Sequence, residues 1–297
     1  MFESLIITLS SIPDLKISEN ELMQDHTSFR IGGPARLFLE AFSKDAVVDA
    51  LKTLRACDIS PLVIGNGSNL LVSDNGYDSV VLKLSCNKIE VRDNLIYAEA
   101  GALLSSVASI AQKNSLRGLE FAHGIPGTVG GAVVMNAGAY GGEINSVLKS
   151  STYFSSEGVL DISNDEHFFG YRKSIYIDHP EFTVLSATFL LEHGDADCIS
   201  AKMRELAEKR REKQPLEYPS AGSVFKRPVG YFAGALIEQC GLKGYSIGDA
   251  EVSKKHAGFI INRGNATADD VKKLVSHIQN TVLKETGVSL ECEIRFI

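Results

Sequence analysis

The stretch that decides the fold is HGIPGTVGGAVVMNAGAYG, residues 123–141, in which glycines recur at short intervals. Apolar residues such as Val129, Val133 and Met135 are interleaved with these glycines, so the segment is not a flexible linker. Long ordered loops are usually functional. The composition predicts a packed, irregular loop with a short helix, where a flat ligand lies against backbone and Asn136 meets the polar edge of a ring. The alternative interpretation is a close-packed structural loop.

A second glycine-rich segment is GNGSN, Gly65–Asn69, directly after the apolar run PLVI at 61–64. Its glycines permit close backbone approach, and successive N–H groups can form an anion-binding nest. The segment is neither a dinucleotide fingerprint nor a P-loop, because Leu70 stands at the third glycine position and no Gly-Lys-Ser/Thr follows. The alternative is a tight turn between two strands. Two such segments in one chain favour a large nucleotide cofactor.

The composition is that of an acidic globular protein of 297 residues, with a net charge of −7 and 44% hydrophobic residues. This length favours two domains. An acidic chain is a poor general partner for nucleic acid or anionic membranes. We therefore expect anionic small molecules to be bound by particular Lys and Arg residues.

The five cysteines are odd in number and widely spaced, with no CxxC pair. This pattern is typical of reduced thiols and indicates neither a disulfide framework nor a metal site. The start MFESLIITLSSIPDLK has Glu3 where a signal peptide carries Lys or Arg. No segment approaches the roughly 20 apolar residues of a membrane span. We therefore expect a cytoplasmic protein without membrane segments.

Apolar spacing predicts alternating strands and helices along most of the chain. The predicted strands are 36–42, 61–64, 70–72, 80–84, 89–91, 95–97, 258–261 and 289–297, with further strands within 150–193. The predicted helices are 45–57, 103–112, 197–213 and 232–240. A last helix is opened by Thr267 with Asp270 three residues on, which is the spacing of a capping box.

Six motifs occur in an order that resembles one enzyme family. GNGSN and HGIPGTVGGAVVMNAGAYG are followed by GYRKS (170–174), AGSVFKRP (221–228), VSKKHAGFIIN (252–262) and ECEIRF (291–296). From about Thr27 to the C-terminus the chain resembles the UDP-N-acetylenolpyruvoylglucosamine reductase (MurB) family of peptidoglycan synthesis.

The resemblance implies an α+β fold, with a two-lobed FAD-binding domain of the vanillyl-alcohol-oxidase (PCMH) type and a smaller α+β substrate-binding domain. We accordingly expect an N-terminal arm or helix at 1–25 and the FAD-binding domain at 26–194, with lobes of about 26–84 and 85–194. The substrate-binding domain is expected at 195–297. The resemblance also implies that NADPH reduces bound FAD and that the flavin passes hydride to an enolpyruvyl ether, giving UDP-N-acetylmuramate.

Two features bear on the family pattern. Gly248–Asp249–Ala250 stands where a Gly–Gly pair is expected, which puts the local turn in question. The interval between Arg172 and Ser223 leaves little room for the substrate-capping tyrosine loop of the longer subtype, so the chain resembles the shorter one.

The resemblance assigns catalysis to Arg172, Ser223 and Glu293. Reduction builds negative charge on an enolate beside a carboxylate, which a fixed guanidinium at Arg172 would stabilise. Ser223 would donate a proton to the neighbouring carbon, and Glu293 would orient the substrate or relay a proton. The alternatives are a solvated arginine, a turn serine that caps backbone, and a charged strand face that Glu293 shares with Glu291 and Arg295.

Basic and aromatic side chains near these motifs are assigned to the substrates. Lys226 and Arg227 would bind a diphosphate or the phosphates of NADPH, against the alternative of an exposed basic pair. Tyr140 is assigned to substrate binding. Arg30 is a weaker candidate of the same kind as Lys226.

The cofactor residues come from both glycine-rich segments, and we expect them to hold FAD non-covalently. They are Gly65, Asn66, Gly67, Ser68, Asn69, Gly124, Ile125, Pro126, Gly127, Thr128, Gly131, Ala132, Asn136 and Ala137. His123 and His256 lie near motifs, but a lone histidine more often packs or hydrogen-bonds, so neither is given a role. Two alternatives stay open: an FAD oxidase or dehydrogenase of the same fold with another substrate, and a cofactor-free nucleotide-sugar binding protein. We expect small-molecule partners and a monomer.

Overall fold

The computed structural model describes residues 2–297, which form two compact units. The first unit comprises the residues up to 18 together with 37–66 and 79–209, and the second comprises 19–36, 67–78 and 210–297. Each unit has its own cluster of buried apolar side chains. The units therefore differ from the contiguous domains expected from the sequence, because two short early segments group with the C-terminal third.

The elements mix helices and strands, as an α+β fold requires. The helices are α1 (Phe2–Leu9), α2 (Lys44–Ala56), α3 (Leu104–Lys113), α4 (Val129–Val134), α5 (Ile175–Asp178), α6 (Ala196–Lys213), α7 (Ala233–Gln239) and α8 (Ala268–Thr286). Strands β1–β9 are Leu15–Leu22, Pro34–Ala41, Leu62–Ile64, Leu70–Leu71, Tyr77–Leu84, Ile89–Arg92, Leu95–Glu99, Leu116–Arg117 and Gly138–Ala139. Strands β10–β18 are Gly142–Glu143, Leu148–Ser155, Gly158–Ser163, Thr183–Leu190, Glu192–His193, Ser246–Ile247, Ala250–Val252, Ile260–Asn262, and, after α8, Arg295–Phe296 as the last of them.

Two sheets organise the first unit. A four-stranded sheet has the order β1-β2-β5-β3, with β3 parallel to β5. A five-stranded sheet has the order β12-β11-β13-β7-β6, and its neighbouring strands are all antiparallel. Strands β6 and β7 form a hairpin, with Asp93 in the left-handed conformation (φ 55°) that a tight turn requires.

The glycine-rich stretch 118–142 is ordered, as its interleaved apolar residues predict. It contains a 3-10 turn at Glu120–Ala122, helix α4 and the two-residue hairpin of β9 and β10. The hairpin turn is Tyr140–Gly141, with φ of 52° and 91°. Positive φ at both turn positions matches the right-handed twist of the flanking strands.

The second unit packs α7 and α8 with the small antiparallel sheet β15-β16-β17. The predicted capping box of α8 is confirmed, since Thr267 accepts from the Asp270 N–H and Asp270 accepts from the Thr267 N–H. The buried apolar stripe of α8 consists of Val271, Leu274, Val275, Ile278 and Val282. Asp74 also accepts from the Ala268 and Asp269 N–H groups at 2.7 and 3.1 Å, which ties the 67–78 segment to this unit.

The predicted closing strand 289–297 is the element that differs most from the structure. Only Arg295–Phe296 is a strand, pairing in parallel with β4. The preceding residues form isolated pairings instead, with Cys292 opposite Phe225. The sequence of this segment does alternate between polar and apolar residues. Its backbone, however, pairs first with the segment around Phe225 and then with β4, so no continuous ladder forms.

Candidate active site

The two glycine-rich segments meet directly within the first unit. The Asn66 side-chain amide donates to the Pro126 carbonyl at 2.6 Å. A Cβ atom placed on Gly65 would lie 2.1 Å from Thr128 Oγ1, so only glycine allows this approach. Thr128 is buried, whereas Asn66 is exposed. Motifs some 60 positions apart in the sequence thus form one continuous loop surface.

The remainder of GNGSN belongs to the second unit and is fixed by other contacts. Gly67 has φ +59°, and a Cβ atom there would lie 2.1 Å from the His26 carbonyl oxygen. The Asn69 side chain donates to the Glu293 carbonyl at 3.1 Å, and its own carbonyl accepts from the Arg295 N–H at 2.9 Å. The need for glycine at 67 is therefore explained by protein packing, and its part in cofactor binding stays a prediction.

Helix α4 has one packed and one exposed glycine. Gly130 packs against Ala100, where a Cβ atom would lie 2.9 Å from the Ala100 Cβ. Gly131 is exposed, and a Cβ atom there would meet only Thr128 Oγ1, at 3.7 Å. Ala132 is buried beneath it. The loop therefore presents bare backbone at Gly131, the surface that a flat cofactor ring needs for close approach.

Asn136 does not serve as expected from the sequence. It is buried, its amide nitrogen donates to the Gly170 carbonyl at 3.0 Å, and its Oδ1 accepts from the Asn145 N–H at 2.9 Å. Both ends of the side chain are engaged with protein, so it supports the neighbouring turn. The interpretation that this side chain meets the polar edge of a ring is corrected accordingly.

That neighbouring turn carries Arg172. Gly170 and Lys173 exchange two backbone hydrogen bonds of 3.1 Å, which leaves Tyr171 and Arg172 at the centre of a tight turn. Arg172 has φ +54°, is half-buried, places its guanidinium 5.1 Å from the Tyr171 ring centre, and makes a long 3.5 Å contact to the Gly138 carbonyl. The turn thus directs a cation to the surface next to the second glycine-rich loop.

Left-handed backbone at residues other than glycine is concentrated here. Asn136, Tyr140, Phe168 and Arg172 have φ of 42°, 52°, 48° and 54°. Such conformations cost free energy, persist only where surrounding contacts determine them, and cluster at functional sites. Tyr140 and Arg172, both selected from the sequence, are thus held by their surroundings in conformations that are rare for their residue types.

In the second unit, Ser223 lies at an isolated backbone pairing with Phe259, and the chain bends at Gly222 and Val224 on either side of it. The segment has Phe259 beside Ser223 on one side and Cys292 beside Phe225 on the other. The Ser223 hydroxyl is half-buried and makes a weak 3.3 Å hydrogen bond to the Phe225 carbonyl. The hydroxyl therefore contacts its own local backbone only weakly and is available for a stronger partner.

Glu293 lies directly across from this segment. Its N–H donates to the Val224 carbonyl at 2.8 Å, which places the Glu293 backbone beside the Ser223–Phe225 segment. Glu291, two residues earlier, has a side chain that is 73% exposed and forms an ion pair with Lys226. Glu293 is less exposed than Glu291. The structure therefore gives the two carboxylates different surroundings, and Glu291 pairs with Lys226.

The basic pair after Ser223 is arranged differently at its two positions. Lys226 is 33% exposed and pairs with Glu291, a carboxylate with which an incoming anion would compete. The Arg227 guanidinium lies 4.2 Å from the centre of the Phe232 ring, a cation–π arrangement. Arg30 is exposed, with φ +55°. The structure brings Lys226, Ser223 and Glu293 onto two neighbouring segments that are joined by backbone hydrogen bonds.

Asp249 stands where the family pattern has a second glycine, and the turn forms nevertheless. Gly248 and Asp249 form the two-residue turn between β15 and β16, with φ +53° at Gly248. The Asp249 carboxylate accepts from the Asn265 N–H at 2.9 Å. Aspartate therefore replaces the second glycine of the expected pair without loss of the turn, and it caps a neighbouring loop.

His256 is half-buried, and its Nδ1 accepts from the Gly258 N–H at 3.1 Å. Burial lowers the pKa of His256, and nearby Lys243 lowers it further. The ring also packs edge-on against Phe259, at 5.0 Å between centres. The absence of an assigned role in the sequence interpretation agrees with this packed, hydrogen-bonded imidazole.

Among residues 2–297 no group of His, Cys, Asp or Glu side chains is arranged to bind a metal ion. In the same part of the chain, no helix has the length and apolar character to cross a bilayer. A cleft of about 610 Å³ in the first unit is lined by residues of β6 and β7 and the start of α2. Its charged groups, such as Lys88 and Glu90, pair with each other, and it contains none of the candidate site residues.

Comparison with known proteins agrees with the geometry. An FAD binding domain family matches residues 35–162, and the UDP-N-acetylenolpyruvoylglucosamine reductase C-terminal domain family matches residues 214–297. Together with the mixed α+β architecture, these matches define an FAD-dependent oxidoreductase with a PCMH-type FAD-binding domain and a separate C-terminal domain. This confirms the expected fold class and the expected FAD cofactor.

Close relatives extend over nearly the whole chain. A UDP-N-acetylenolpyruvoylglucosamine reductase of Clostridium novyi is 48% identical over 97% of this chain and 95% of its own length. One from Caldanaerobacter subterraneus subsp. tengcongensis is 50% identical over 100% and 99%. The crystal structure of the Thermus caldophilus enzyme aligns with a TM-score of 0.82 at 34% identity, covering 95% of this chain and 98% of that one. The chain belongs to the UDP-N-acetylenolpyruvoylglucosamine reductase family.

Proposed function

We propose that this chain reduces UDP-N-acetylglucosamine enolpyruvate to UDP-N-acetylmuramate, with non-covalently bound FAD and with NADPH as the electron donor. The reaction is a step in the synthesis of peptidoglycan precursors. The observation that carries the proposal is the match to reductases of this name over nearly the full length of both chains. The same observation favours this reaction over another flavin-dependent oxidation and over a cofactor-free binding protein.

The loop surface of the first unit fits FAD. Gly131 leaves bare backbone on α4, the Gly124–Thr128 segment precedes it, and Asn66 links this loop to GNGSN. We assign cofactor binding to these two loops, with Asn136 acting through the turn that it supports. When bound, FAD supplies the hydride chemistry that couples oxidation of NADPH to reduction of the enolpyruvyl double bond.

Three residues of the chain are assigned to the reduction. As hydride is added to the terminal enolpyruvyl carbon, negative charge develops beside the substrate carboxylate, and the Arg172 guanidinium stabilises it. The Ser223 hydroxyl gives a proton to the adjacent carbon, which completes the saturated lactyl ether. Glu293 orients the reacting end or returns a proton to Ser223. Each role follows from the residue type and from the placement of that residue within its own unit.

Substrate binding is assigned to Lys226, Arg227 and Tyr140. Lys226 exchanges its Glu291 partner for a phosphate oxygen, a charge-assisted contact of the same kind. Arg227, stacked on Phe232, binds a second oxygen through its guanidinium. We assign residues 195–297 chiefly to this substrate and residues 26–194 chiefly to FAD.

We further propose that the enzyme works as a monomer in the cytoplasm. All five cysteines lie among the described residues and are free thiols. Free thiols are usual in a reducing compartment. Both proposed substrates are small anionic molecules, in keeping with a chain whose net charge of −7 disfavours binding to nucleic acid.

The visible spectrum of the purified protein tests the proposal. We expect a flavin band that is bleached by NADPH without oxygen and restored by the enolpyruvyl substrate. Acid precipitation should release the flavin into the supernatant, since no covalent attachment is proposed. A colourless protein would favour the cofactor-free alternative. A band that NADPH bleaches but the nucleotide sugar does not restore would favour another substrate.

A further inference from the structure

Three buried polar side chains of the first unit form a continuous hydrogen-bonded chain. Ser151 lies on β11, His167 ends the 3-10 turn Asn164–His167, and Tyr176 lies on α5. Their exposed fractions are 2%, 0% and 3%. The Ser151 hydroxyl oxygen lies 2.7 Å from His167 Nε2 and 2.6 Å from the Tyr176 hydroxyl oxygen. Buried polar groups of this kind need every partner to be in place.

The surroundings of His167 fix the direction of this chain. Its Nδ1 lies 2.8 Å from the Ser163 carbonyl and 3.2 Å from the Asn164 carbonyl, and both oxygens are acceptors only. Nδ1 must therefore carry the proton, and in the neutral ring Nε2 accepts. Ser151 consequently donates to His167 and accepts from Tyr176. Burial lowers the pKa of His167, which favours this neutral ring.

The chain encloses the turn that carries Arg172. His167 immediately precedes Phe168, and Tyr176 follows the Gly170–Lys173 turn, so one serine oxygen ties both ends of the segment to β11. Between the two ties, Phe168 and Arg172 both have left-handed backbone, which residues of their type adopt only under constraint. Phe169 stacks on the His167 ring, 4.8 Å between centres and 4° from parallel, which adds to the constraint.

The middle of the segment is tied separately to the loop around α4. Asn136 donates to the Gly170 carbonyl, and Ser174 donates to the Val134 carbonyl at 2.7 Å. Ser174 also accepts from the Tyr176 N–H at 3.3 Å. These contacts fix the position of the turn against the loop around α4. The hydrogen bonds of His167 and Tyr176 to Ser151 fix the two ends of the segment on β11.

We propose that the Tyr176–Ser151–His167 chain is a positioning device for Arg172, which holds the turn so that the guanidinium meets the charge developing on the substrate. This inference rests on the role of Arg172 in the proposed function. It assigns positioning to three residues that touch neither substrate nor cofactor. Their loss should therefore impair the step that Arg172 serves and leave the reaction with NADPH intact.

Matched substitutions test the proposal in the flavin-loaded enzyme. Tyr176→Phe removes only the hydroxyl that donates to Ser151. Tyr153→Phe is its control, because the Tyr153 ring lies 5.8 Å from Tyr176, while its hydroxyl has no hydrogen-bond partner in the described part of the chain. Ser151→Val and Ser151→Thr form a second pair of equal shape, of which only threonine retains a hydroxyl.

Rapid mixing separates the two halves of the reaction on one sample. We expect NADPH to bleach the flavin of all four variants within about twofold of wild type. Restoration of the band by the enolpyruvyl substrate should slow by about 10- to 100-fold in Tyr176→Phe and Ser151→Val, a loss of the size that misplacement of a catalytic group causes. Tyr153→Phe and Ser151→Thr should restore it at close to the wild-type rate. Amide hydrogen exchange over residues 168–175 should accelerate in the two impaired variants alone.

Each outcome decides the matter. Equal restoration rates in Tyr176→Phe and Tyr153→Phe, or equal losses in both halves of the reaction, would overturn the positioning role. If wild type is not restored by the enolpyruvyl substrate, the proposed function fails, and this inference fails with it. If wild type is restored and Arg172→Lys is slow while Tyr176→Phe is normal, the proposed function stands and only the positioning role is lost.

Discussion

Gly67 and Gly131 occupy the two glycine-rich segments for different physical reasons. Gly67 is buried, has φ +59°, and has the His26 carbonyl where a side chain would begin. Gly131 is exposed and helical, and the space in front of it is open apart from Thr128 at 3.7 Å. The first glycine is required by the fold of the protein. The second is required only if a ligand comes close to its backbone.

Alanine substitution distinguishes these reasons. Gly67→Ala should destabilise the flavin-free protein by at least about 1–2 kcal/mol, from the left-handed backbone alone. Gly131→Ala should leave its stability unchanged or raise it by about 0.5–1 kcal/mol, because alanine suits a helix, and yet it should reduce the flavin content. Urea unfolding of flavin-free protein and the ratio of flavin to protein absorbance provide the two measurements. Full flavin content in Gly131→Ala would remove Gly131 from the cofactor site.

Ser223 gives a prediction about one half of the reaction. Ser223→Ala should keep its flavin and its bleaching by NADPH, because no proton donor to carbon is needed there. Restoration of the band by the enolpyruvyl substrate should slow by ~10²–10⁴-fold, the usual contribution of general acid catalysis. Ser220→Ala, the same change three residues earlier, is the control and should behave as wild type. Fast restoration in Ser223→Ala would mean that the proton comes from water or Glu293.

At the scale of elements, locally encoded features were predictable and long-range ones were not. Helix α8 follows from a capping box and an apolar stripe that are contained within its own sequence. The prediction of a strand over 289–297 was wrong, because the residues that pair with this segment, such as Phe225, are far away in the chain. The grouping of 67–78 with the C-terminal third depends on Asp74 reaching the start of α8, a contact without any sequence signal.

In the candidate site, too, some residues were predictable from the sequence and others were not. The glycine-rich loops, Arg172 and Ser223 were found because motifs carry them. The Ser151–His167–Tyr176 chain was missed, since three polar residues at irregular spacing on separate elements have no pattern in the sequence. Asn136 was predicted as a cofactor residue from its motif, but the burial and the partners of its side chain depend on the packing of a later turn.

The segment around His167 predicts a pH dependence of stability. Burial lowers the pKa of His167 below its ordinary value of 6.5, against the opposing effects of the Ser163 and Asn164 carbonyls and of Glu166. The unfolded chain therefore takes up a proton first as the pH falls below about 6.5, and the folded state loses stability through the window below that pH. Buried Tyr176, whose pKa is raised, stays neutral throughout. Burial also lowers the pKa of His256, so this residue likewise reduces the stability of the folded state as the pH falls.

We accordingly expect the free energy of unfolding to be lower at pH 5.5 than at pH 7.5, by at most about 1.4 kcal/mol per pH unit for each histidine. In His167→Gln this pH difference should shrink, although the variant is less stable at pH 7.5. His193→Gln is the control, since His193 is 65% exposed and pairs with Asp93 on the surface. Urea unfolding at the two pH values measures the difference. Equal shrinkage in both variants would contradict the assignment to His167.

At the scale of the whole molecule, charge sets a constraint on binding. The chain carries −7, while both proposed substrates are polyanions, so the long-range field opposes their approach. Affinity must then come from a few local cations, of which Lys226 is held by Glu291 and Arg227 lies over Phe232. With so few cations available, we expect the phosphates of NADPH and of the nucleotide sugar to use the same ones at different times.

Steady-state kinetics test this alternating use. If NADP⁺ must leave before the sugar enters, double-reciprocal plots at several fixed concentrations of the second substrate should be parallel, and each substrate should inhibit at high concentration. Lys226→Met should raise KM for both substrates, because it removes a shared cation, whereas Glu291→Gln should lower both by freeing Lys226 from its ion pair. Neither change should alter the flavin content. Intersecting lines would indicate that both substrates bind together, and a Lys226→Met effect confined to one substrate would show that the cation is not shared.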